Sequence, residues 1–129
     1  MQLTTHFSLS EFASHDGAPF PPNVITNLQE LAKNLEVLRT YLGCPLKINS
    51  GYRSPAHNKA IGGAQFSQHV EGKAADISCN KYTPDQVHAA ILHLIKEGKM
   101  AQGGLGLYNS WVHYDTRGTI ARWDLRTKK

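Results

Sequence analysis

The chain has 129 residues, of which 40% are hydrophobic and 19% charged, and its formal net charge is +4 at pH 7. This length predicts one domain with a single buried core, spanning residues 1–129. The modest charge, with no Lys/Arg cluster interleaved with aromatic residues, argues against a nucleic-acid partner. Two cysteines, Cys44 and Cys79, are too few for a disulfide scaffold and lack the spacing of a thiolate zinc knuckle.

The sequence shows no targeting or membrane segment. Residues 1–6 lack the basic start and apolar core of a signal peptide, and no apolar run approaches the roughly 18 residues of a membrane span. We therefore expect synthesis in the cytoplasm and no membrane span, and we also expect a monomer. Basic residues are frequent from Arg117 onward, and the segment from about residue 124 is expected to form a basic tail.

The first half of the chain predicts two helices and a strand. Ser8 and Glu11 have the spacing of a capping box, which opens a short helix. From Asn23, apolar residues recur at steps of three and four, which predicts a long helix ending at Gly43. Residues 46–49 alternate between apolar and polar side chains, as is typical of a short strand.

The second half predicts two further helices and three strands. A short helix begins after the N-cap Ser54, and another opens with the capping box at Thr83. Residues 73–78 predict a strand, while 104–108 and 111–115 predict a hairpin. This order favours an α+β fold, in which a small, mainly antiparallel sheet is packed with helices on one side.

Candidate metal ligands lie on a loop and on two of these strands. His69 and Asp76 lie seven positions apart, with one glycine and two alanines between them, so a loop histidine can meet a strand aspartate. His113 shares a strand face with Trp111 and Asp115. If the two strands are neighbours, Asp76 and His113 converge, and His69 closes the third side. Three protein ligands with an open fourth position are typical of catalytic zinc.

Each histidine also has an ordinary explanation. A single histidine in a strand is more often a satisfied core or surface residue than a ligand. The sequence offers no reason to take the remaining histidines as ligands, namely His6, His15, His57, His88 and His93.

Several motifs that follow one another along the chain favour metal binding over the ordinary explanation for His69 and His113. They are Ser50-Gly51-Tyr52-Arg53-Ser54-Pro55, then Ser67-x-His69 with Gly72, Ala74 and Asp76, and finally Val112-His113-x-Asp115-x(6)-Arg122-Trp123. From about Phe7 to Trp123 the chain resembles the D-Ala-D-Ala carboxypeptidase family of zinc peptidases, and especially its compact bacterial and phage members. The resemblance implies a fold like that of these peptidases and of hedgehog domains, with Zn²⁺ bound by His69, Asp76 and His113.

The resemblance further implies an enzyme that hydrolyses peptide bonds in peptidoglycan stem peptides or cross-links. It would act as a D-Ala-D-Ala carboxypeptidase or as an endopeptidase of the endolysin kind. Its place of action would be the bacterial cell wall, reached by phage lysin-like release or another export route.

Residues around the metal acquire expected roles from the same resemblance. Arg53 is expected at the active site, where a guanidinium can hold a substrate carboxylate or stabilise an oxyanion; a surface salt bridge is the alternative. Ser67 and, as a weaker candidate, Gln68 are expected to contact a ligand or the substrate. Trp111 is expected to line the substrate cleft.

The chain departs from the family at the proton-transfer group. Members carry Glu, Asp or His three residues before the last zinc histidine, or His two before it, whereas this chain has Ser110 and Trp111. Asp115 is the best remaining carboxylate for a general base, but it could equally orient His113 or Arg122. The departure supports the alternative of a non-catalytic zinc-binding module. An amidase-type hydrolase that acts on a different amide is a third possibility.

Overall fold

The computed structural model describes residues 1–127 and has the α+β architecture that the sequence predicts. The elements in chain order are a 3-10 helix at Leu9–Phe12, α1 at Pro22–Leu42, β1 at Lys47–Ser50, α2 at Pro55–Ala60, β2 at Ala74–Ser78, α3 at Pro84–Lys96, β3 at Gly104–Leu107, β4 at Val112–Asp115 and β5 at Ala121–Asp124. The predicted helices and the predicted hairpin are all present, with small differences at their ends.

The strands form one sheet in the order β1-β2-β4-β3-β5. Strand β2 is antiparallel to both β1 and β4, and β3 is antiparallel to β4, so the sheet is mainly antiparallel as predicted. The edge strand β5 runs parallel to β3. The two strands expected to carry metal ligands, β2 and β4, are therefore direct neighbours at the centre of the sheet.

The predicted local signals set the helix boundaries. The Ser8 backbone N–H donates to the Glu11 carboxylate over 2.7 Å, which completes the first capping box. Thr83 and Gln86 make the reciprocal bonds of the second box at the start of α3. Helix α1 ends at Gly43, whose φ of 69° lies in the left-handed region that glycine adopts without steric cost.

The core lies between the helices and one face of the sheet. The apolar stripe of α1 is buried, namely Val24, Leu28, Leu31, Leu35 and Leu38. Helix α1 packs against α3, and α3 packs on β3 and β4. Because side chains alternate along a strand, Ala75 and Ile77 of β2 and Tyr114 of β4 enter this core, while Asp76 and His113 face the opposite side.

Strand β5 is a difference from the sequence analysis, which predicted no strand between the hairpin and the basic tail from about residue 124. Ala121 to Asp124 pair with Gly104 to Leu107 of β3. The Arg122 guanidinium anchors this strand by donating to the Gly103 carbonyl oxygen over 2.6 Å. The predicted tail from about residue 124 thus begins where β5 ends, and its last residues, 128–129, lie outside the described part of the chain.

Among residues 1–127, no helix combines the length and the apolar character that crossing a membrane requires.

Candidate metal centre

Strand pairing brings two of the predicted ligands together. Asp76 of β2 lies directly opposite His113 of β4 in the antiparallel register. His69 reaches them from the loop before β2, where its backbone carbonyl accepts a hydrogen bond from the Arg53 N–H over 3.1 Å. That loop turns at Gly72, whose φ is 75° and which packs against Val24 of α1 so closely that a Cβ there would lie 2.8 Å from the valine side chain.

The Asp76 oxygen lies at the separation of a tetrahedral zinc site from each of the two histidine nitrogens. Asp76 Oδ1 lies 3.4 Å from His69 Nε2 and 3.3 Å from His113 Nδ1. With zinc–ligand bonds of about 2.0–2.1 Å, two ligand atoms of a tetrahedral ion lie about 3.3–3.4 Å apart. All three side chains are buried, and their donor atoms fall within 4.8 Å of one another. The residues present therefore fit a zinc ion.

The second nitrogen of each imidazole is already occupied, which fixes the nitrogen that faces the centre. His69 Nδ1 lies 2.8 Å from the Gly51 carbonyl oxygen, so it donates there and leaves Nε2 as the free lone pair. His113 Nε2 lies 2.7 Å from Asp115 Oδ2 and donates to it, which leaves Nδ1 free. Outer hydrogen bonds of this kind are usual for metal-binding histidines because they set the tautomer and the ring orientation.

Asp115 lies beneath His113 and is fully buried. Besides His113, its carboxylate accepts hydrogen bonds from the Gly104 N–H over 2.9 Å and from the Arg117 guanidinium. Burial by itself would raise the pKa of Asp115, but the hydrogen bonds from His113, Arg117 and the backbone outweigh it and hold the pKa well below the ordinary range. Arg122, which the sequence left open as a partner, contacts Gly103 instead.

The pKa values of Asp76 and His113 are likewise set by burial acting against their neighbours. Burial would raise the pKa of Asp76, but the adjacent His113 and His69 imidazoles, which stabilise the ionised carboxylate when they are protonated, outweigh it and strongly lower the pKa. For His113, burial would lower the pKa, but the protonated ring would donate to both the Asp115 and the Asp76 carboxylates, and this raises the pKa overall. An ionised carboxylate between two oriented imidazoles is a donor set that suits a divalent zinc ion.

Arg53 lies beside the three donors, as the resemblance implies. Its Nη2 is 3.4 Å from Asp76 Oδ2, the oxygen that does not face the two histidines. Its Nε donates to the Ser50 hydroxyl over 3.2 Å, and Nη1 is 3.5 Å from Asn58 Oδ1. The guanidinium side chain is 16% exposed, so it is a partly desolvated charge at the site and not a surface ion pair.

The donors open onto a cleft of about 540 Å³. The predicted contact residues Ser67, Gln68 and Trp111 line this cleft together with Arg53 and the three donors. The Ser67 hydroxyl accepts a hydrogen bond from the His69 N–H over 3.2 Å, so it also holds the loop that carries the ligand. Asp115 does not line the cleft, because it lies behind His113.

An aromatic wall forms one side of the cleft. Trp111 stacks on Tyr108 with ring centroids 4.8 Å apart and planes within 12°. The Trp123 indole N–H donates to the Tyr108 hydroxyl over 2.9 Å, and its ring lies 4.9 Å from that of His113. A Cβ on Gly106 would lie 2.2 Å from the Trp123 indole nitrogen, so the glycine makes room for this ring.

Sequence reasoning missed Tyr108, Arg117 and Trp123 as residues of the site. Trp123 was part of a recognised motif, but its place beside His113 depends on β5, which was not predicted. The signal for Arg117 was its position two residues after Asp115, a spacing at which an arginine side chain can fold back onto a carboxylate.

Comparison with known proteins agrees with the geometry. A protein-family model described as Peptidase M15 matches residues 5–115 of the chain. The matched segment contains the loop that carries His69 as well as β2 and β4, so it includes all three donors. The comparison with curated proteins finds no match.

Proposed function

The chain belongs to the peptidase M15 family, and from this premise we propose that it is a zinc-dependent hydrolase of peptide bonds in bacterial peptidoglycan. The observation that carries the proposal is the buried group of His69, Asp76 and His113 at the base of a cleft, with the outer nitrogen of each imidazole already bonded. The bonds proposed as substrates are those of stem peptides or their cross-links, and the proposed place of action is the cell wall.

The three residues would hold zinc through His69 Nε2, Asp76 Oδ1 and His113 Nδ1. Zinc in such a site polarises a peptide carbonyl and makes an attacking water more acidic. Asp76 would offer Oδ1 to the ion while Oδ2 faces Arg53, so one carboxylate would link the metal centre to the arginine.

Arg53 is proposed to bind charge that the substrate carries or develops. A guanidinium presents two parallel donors that match a carboxylate or an oxyanion. The long contacts that Arg53 makes to Asn58 and Asp76, at 3.5 Å and 3.4 Å, are weak ones that a substrate oxygen can replace. Its place in the cleft lining gives a substrate access to it.

We further propose that Asp115 orients His113 and does not act as the general base. Its side chain is fully buried, and both of its oxygens accept hydrogen bonds from His113, Arg117 or the Gly104 N–H. A general base must reach the proton that it takes, directly or through one water. From behind the His113 ring, Asp115 has no such path to the cleft.

The inaccessibility of Asp115 from the cleft favours a second candidate, a non-catalytic zinc-binding module of this fold. Within residues 1–127, Asp76 is the only carboxylate that lines the cleft, and it is assigned to the metal. The positions that carry the proton-transfer group in the family are Ser110 and Trp111. The module would keep the metal and the cleft and bind wall peptides without cutting them.

Digestion of purified peptidoglycan separates the two candidates. We expect soluble fragments from the wild-type protein, none after a chelator, and recovery when zinc is restored; His69→Ala should be inactive under every condition. Mass spectrometry of the fragments identifies the bond, since loss of a terminal D-alanine indicates a carboxypeptidase and separated cross-links an endopeptidase. A protein that binds zinc but releases nothing is the non-catalytic module, and one that binds no zinc contradicts both candidates.

A further inference from the structure

Arg117 clamps the carboxylate on which His113 rests. Its Nη2 donates to Asp115 Oδ2 over 2.8 Å, and its Nε lies 3.0 Å and 3.1 Å from the two oxygens. The Arg117 backbone N–H adds a hydrogen bond of 3.0 Å to Oδ1. One residue therefore holds both oxygens of Asp115 from its side chain and its backbone.

The clamped carboxylate meets the metal centre through one atom. Asp115 Oδ2 accepts from Arg117 Nη2 and also lies 2.7 Å from His113 Nε2. On the other side of the ring, His113 Nδ1 faces Asp76 Oδ1 over 3.3 Å. The position of the carboxylate thus determines the direction in which the lone pair of Nδ1 points.

We propose that Arg117 is a positioning residue of the metal centre, which acts through Asp115 to fix the tautomer and the orientation of His113. The inference rests on the metal site of the proposed function, although it does not depend on which bond is cut or on whether one is cut.

The surroundings of Arg117 are shaped for this pair. A Cβ on Gly104 would lie 2.3 Å from Asp115 Oδ2 and 2.9 Å from Arg117 Nε, so only glycine leaves the space that the pair occupies. On its other side, the guanidinium carbon lies 5.5 Å from the centre of the Trp123 ring, within the range of a cation–π contact. The Arg117 side chain therefore lies between Gly104 of β3 and the Trp123 ring.

Arginine is suited to this role where lysine is not. The planar guanidinium presents two parallel N–H groups to one carboxylate, which fixes the rotation of the carboxylate as well as its position. An ammonium group acts as a point charge and leaves that rotation free. Arg117→Lys therefore tests orientation while it keeps the charge.

The chain supplies a matched control in Arg126. This arginine makes the same pattern with Asp124, with its backbone N–H and its Nε each 3.0 Å from Oδ1 and its Nη2 2.7 Å from Oδ2. Arg126 does not line the cleft and contacts neither a proposed ligand nor Asp115. Its substitution changes an ion pair of equal geometry away from the metal centre.

The experiment compares Arg117→Lys and Arg117→Gln with Arg126→Lys and Arg126→Gln. Zinc affinity is measured by competition with a chromogenic chelator, below the thermal unfolding midpoint of every variant. Since loss of a residue that orients a metal ligand costs about 10- to 100-fold in affinity, we expect Arg117→Gln to bind zinc that much more weakly. Arg117→Lys should fall between it and the wild type, and both Arg126 variants should match the wild type. The visible spectrum of the Co²⁺-loaded protein should change in the Arg117 variants alone, because it reports ligand geometry.

Each result decides the matter in one direction. Zinc affinity and a Co²⁺ spectrum that are unchanged in both Arg117 variants, even with a lower unfolding temperature, would overturn the inference and leave Arg117 as a stabilising residue. Equal losses in the Arg117 and Arg126 variants would overturn it as well. A wild-type protein that binds no zinc would instead refute the proposed function, and the inference would fall with it.

Discussion

The strands β4 and β5 end in the same three-residue pattern, Asp-x-Arg, and the two copies have almost the same local geometry. In both Asp115–Arg117 and Asp124–Arg126, the arginine N–H and Nε donate to one carboxylate oxygen over 3.0 Å, and Nη2 donates to the other. Their surroundings differ. The Asp115 side chain is 0% exposed and lies against His113, whereas that of Asp124 is 49% exposed.

This difference shows that the local pattern forms the ion pair, while burial decides what the pair does. At the surface, water and salt screen the charges and the pair contributes little. In the interior the same charges are costly to separate and have few alternative partners. The buried pair can therefore hold a metal-binding histidine in place, while the exposed one joins α3 to β5 through a 2.6 Å contact between Arg126 and Asp85.

The largest expected effect is the loss of stability when the Asp115 carboxylate charge is removed, and removal of the Asp124 charge is the comparison. Asp115→Asn removes the buried carboxylate that accepts hydrogen bonds from His113 and Arg117. Since the Arg117 side chain is 28% exposed, the cost should reach at most about 3–5 kcal/mol of unfolding free energy, which is what breaking a fully buried pair costs. Asp124→Asn should cost less than about 1 kcal/mol. Urea unfolding of the metal-free proteins measures both. Similar losses in the two variants would mean that burial does not distinguish the pairs.

Filling the space beside the buried pair should have a smaller effect. Gly104→Ala places a methyl group against the Asp115 carboxylate, and such overpacking costs about 1–3 kcal/mol. It should also weaken zinc binding, because the carboxylate must shift away from His113. Gly98→Ala is the control: Gly98 has a φ of 74° and open space around it, so alanine there adds backbone strain but leaves zinc affinity unchanged. Chelator competition and urea unfolding of both variants test this prediction.

Asp16 extends the comparison of the two aspartate–arginine pairs, because its carboxylate is held by hydroxyl groups instead of a guanidinium. Asp16 accepts 2.6 Å hydrogen bonds from the hydroxyls of Ser14 and Ser54, and these bonds with that of the Ala18 N–H lower the pKa of Asp16 from 3.8 to about 2. A carboxylate whose folded pKa is lowered contributes stability above its unfolded pKa and loses it as the pH falls through the folded value.

The stability difference between the wild type and Asp16→Asn should therefore be constant above about pH 5 and should shrink between about pH 4 and pH 2. Urea unfolding at a series of pH values measures it. A difference that does not change over this range would show that the Asp16 hydrogen bonds do not favour the ionised form.

The smallest expected effect is the salt dependence of the exposed pair. Arg126→Gln should lower the stability only slightly at low salt, and the cost should approach zero in 1 M NaCl, where the screening length is about 3 Å. The cost of Arg117→Gln should change little over the same range, since its partner is buried. Unfolding at low and high salt checks this contrast, and an equal salt dependence in the two variants would contradict it.

The contrast between the pairs also marks the limit of prediction from sequence. Periodic leucines, capping boxes and a terminal glycine lie close together in the chain, so the helices and the hairpin were predictable from local rules. The meeting of Asp76 and His113 was predictable once β2 and β4 were taken as neighbours. The edge strand β5 was not, because its four residues alternate between apolar and polar side chains but include alanine and aspartate, which strands disfavour, and the strand is stabilised by parallel pairing with β3.

The sequence by itself determined which side chains are candidate metal ligands, on which strand faces Asp76 and His113 lie and where the helices begin and end, because these depend on residue type and on spacing along the backbone. Only the tertiary structure decided which Asp-x-Arg pair supports the metal centre. The two copies offer the same donors at the same spacing, so the choice depends on surroundings that are distant in sequence. Gly104 leaves space beside Asp115, and His113 and Trp123 pack against this pair, so the Asp115 carboxylate is fully buried while that of Asp124 is half exposed.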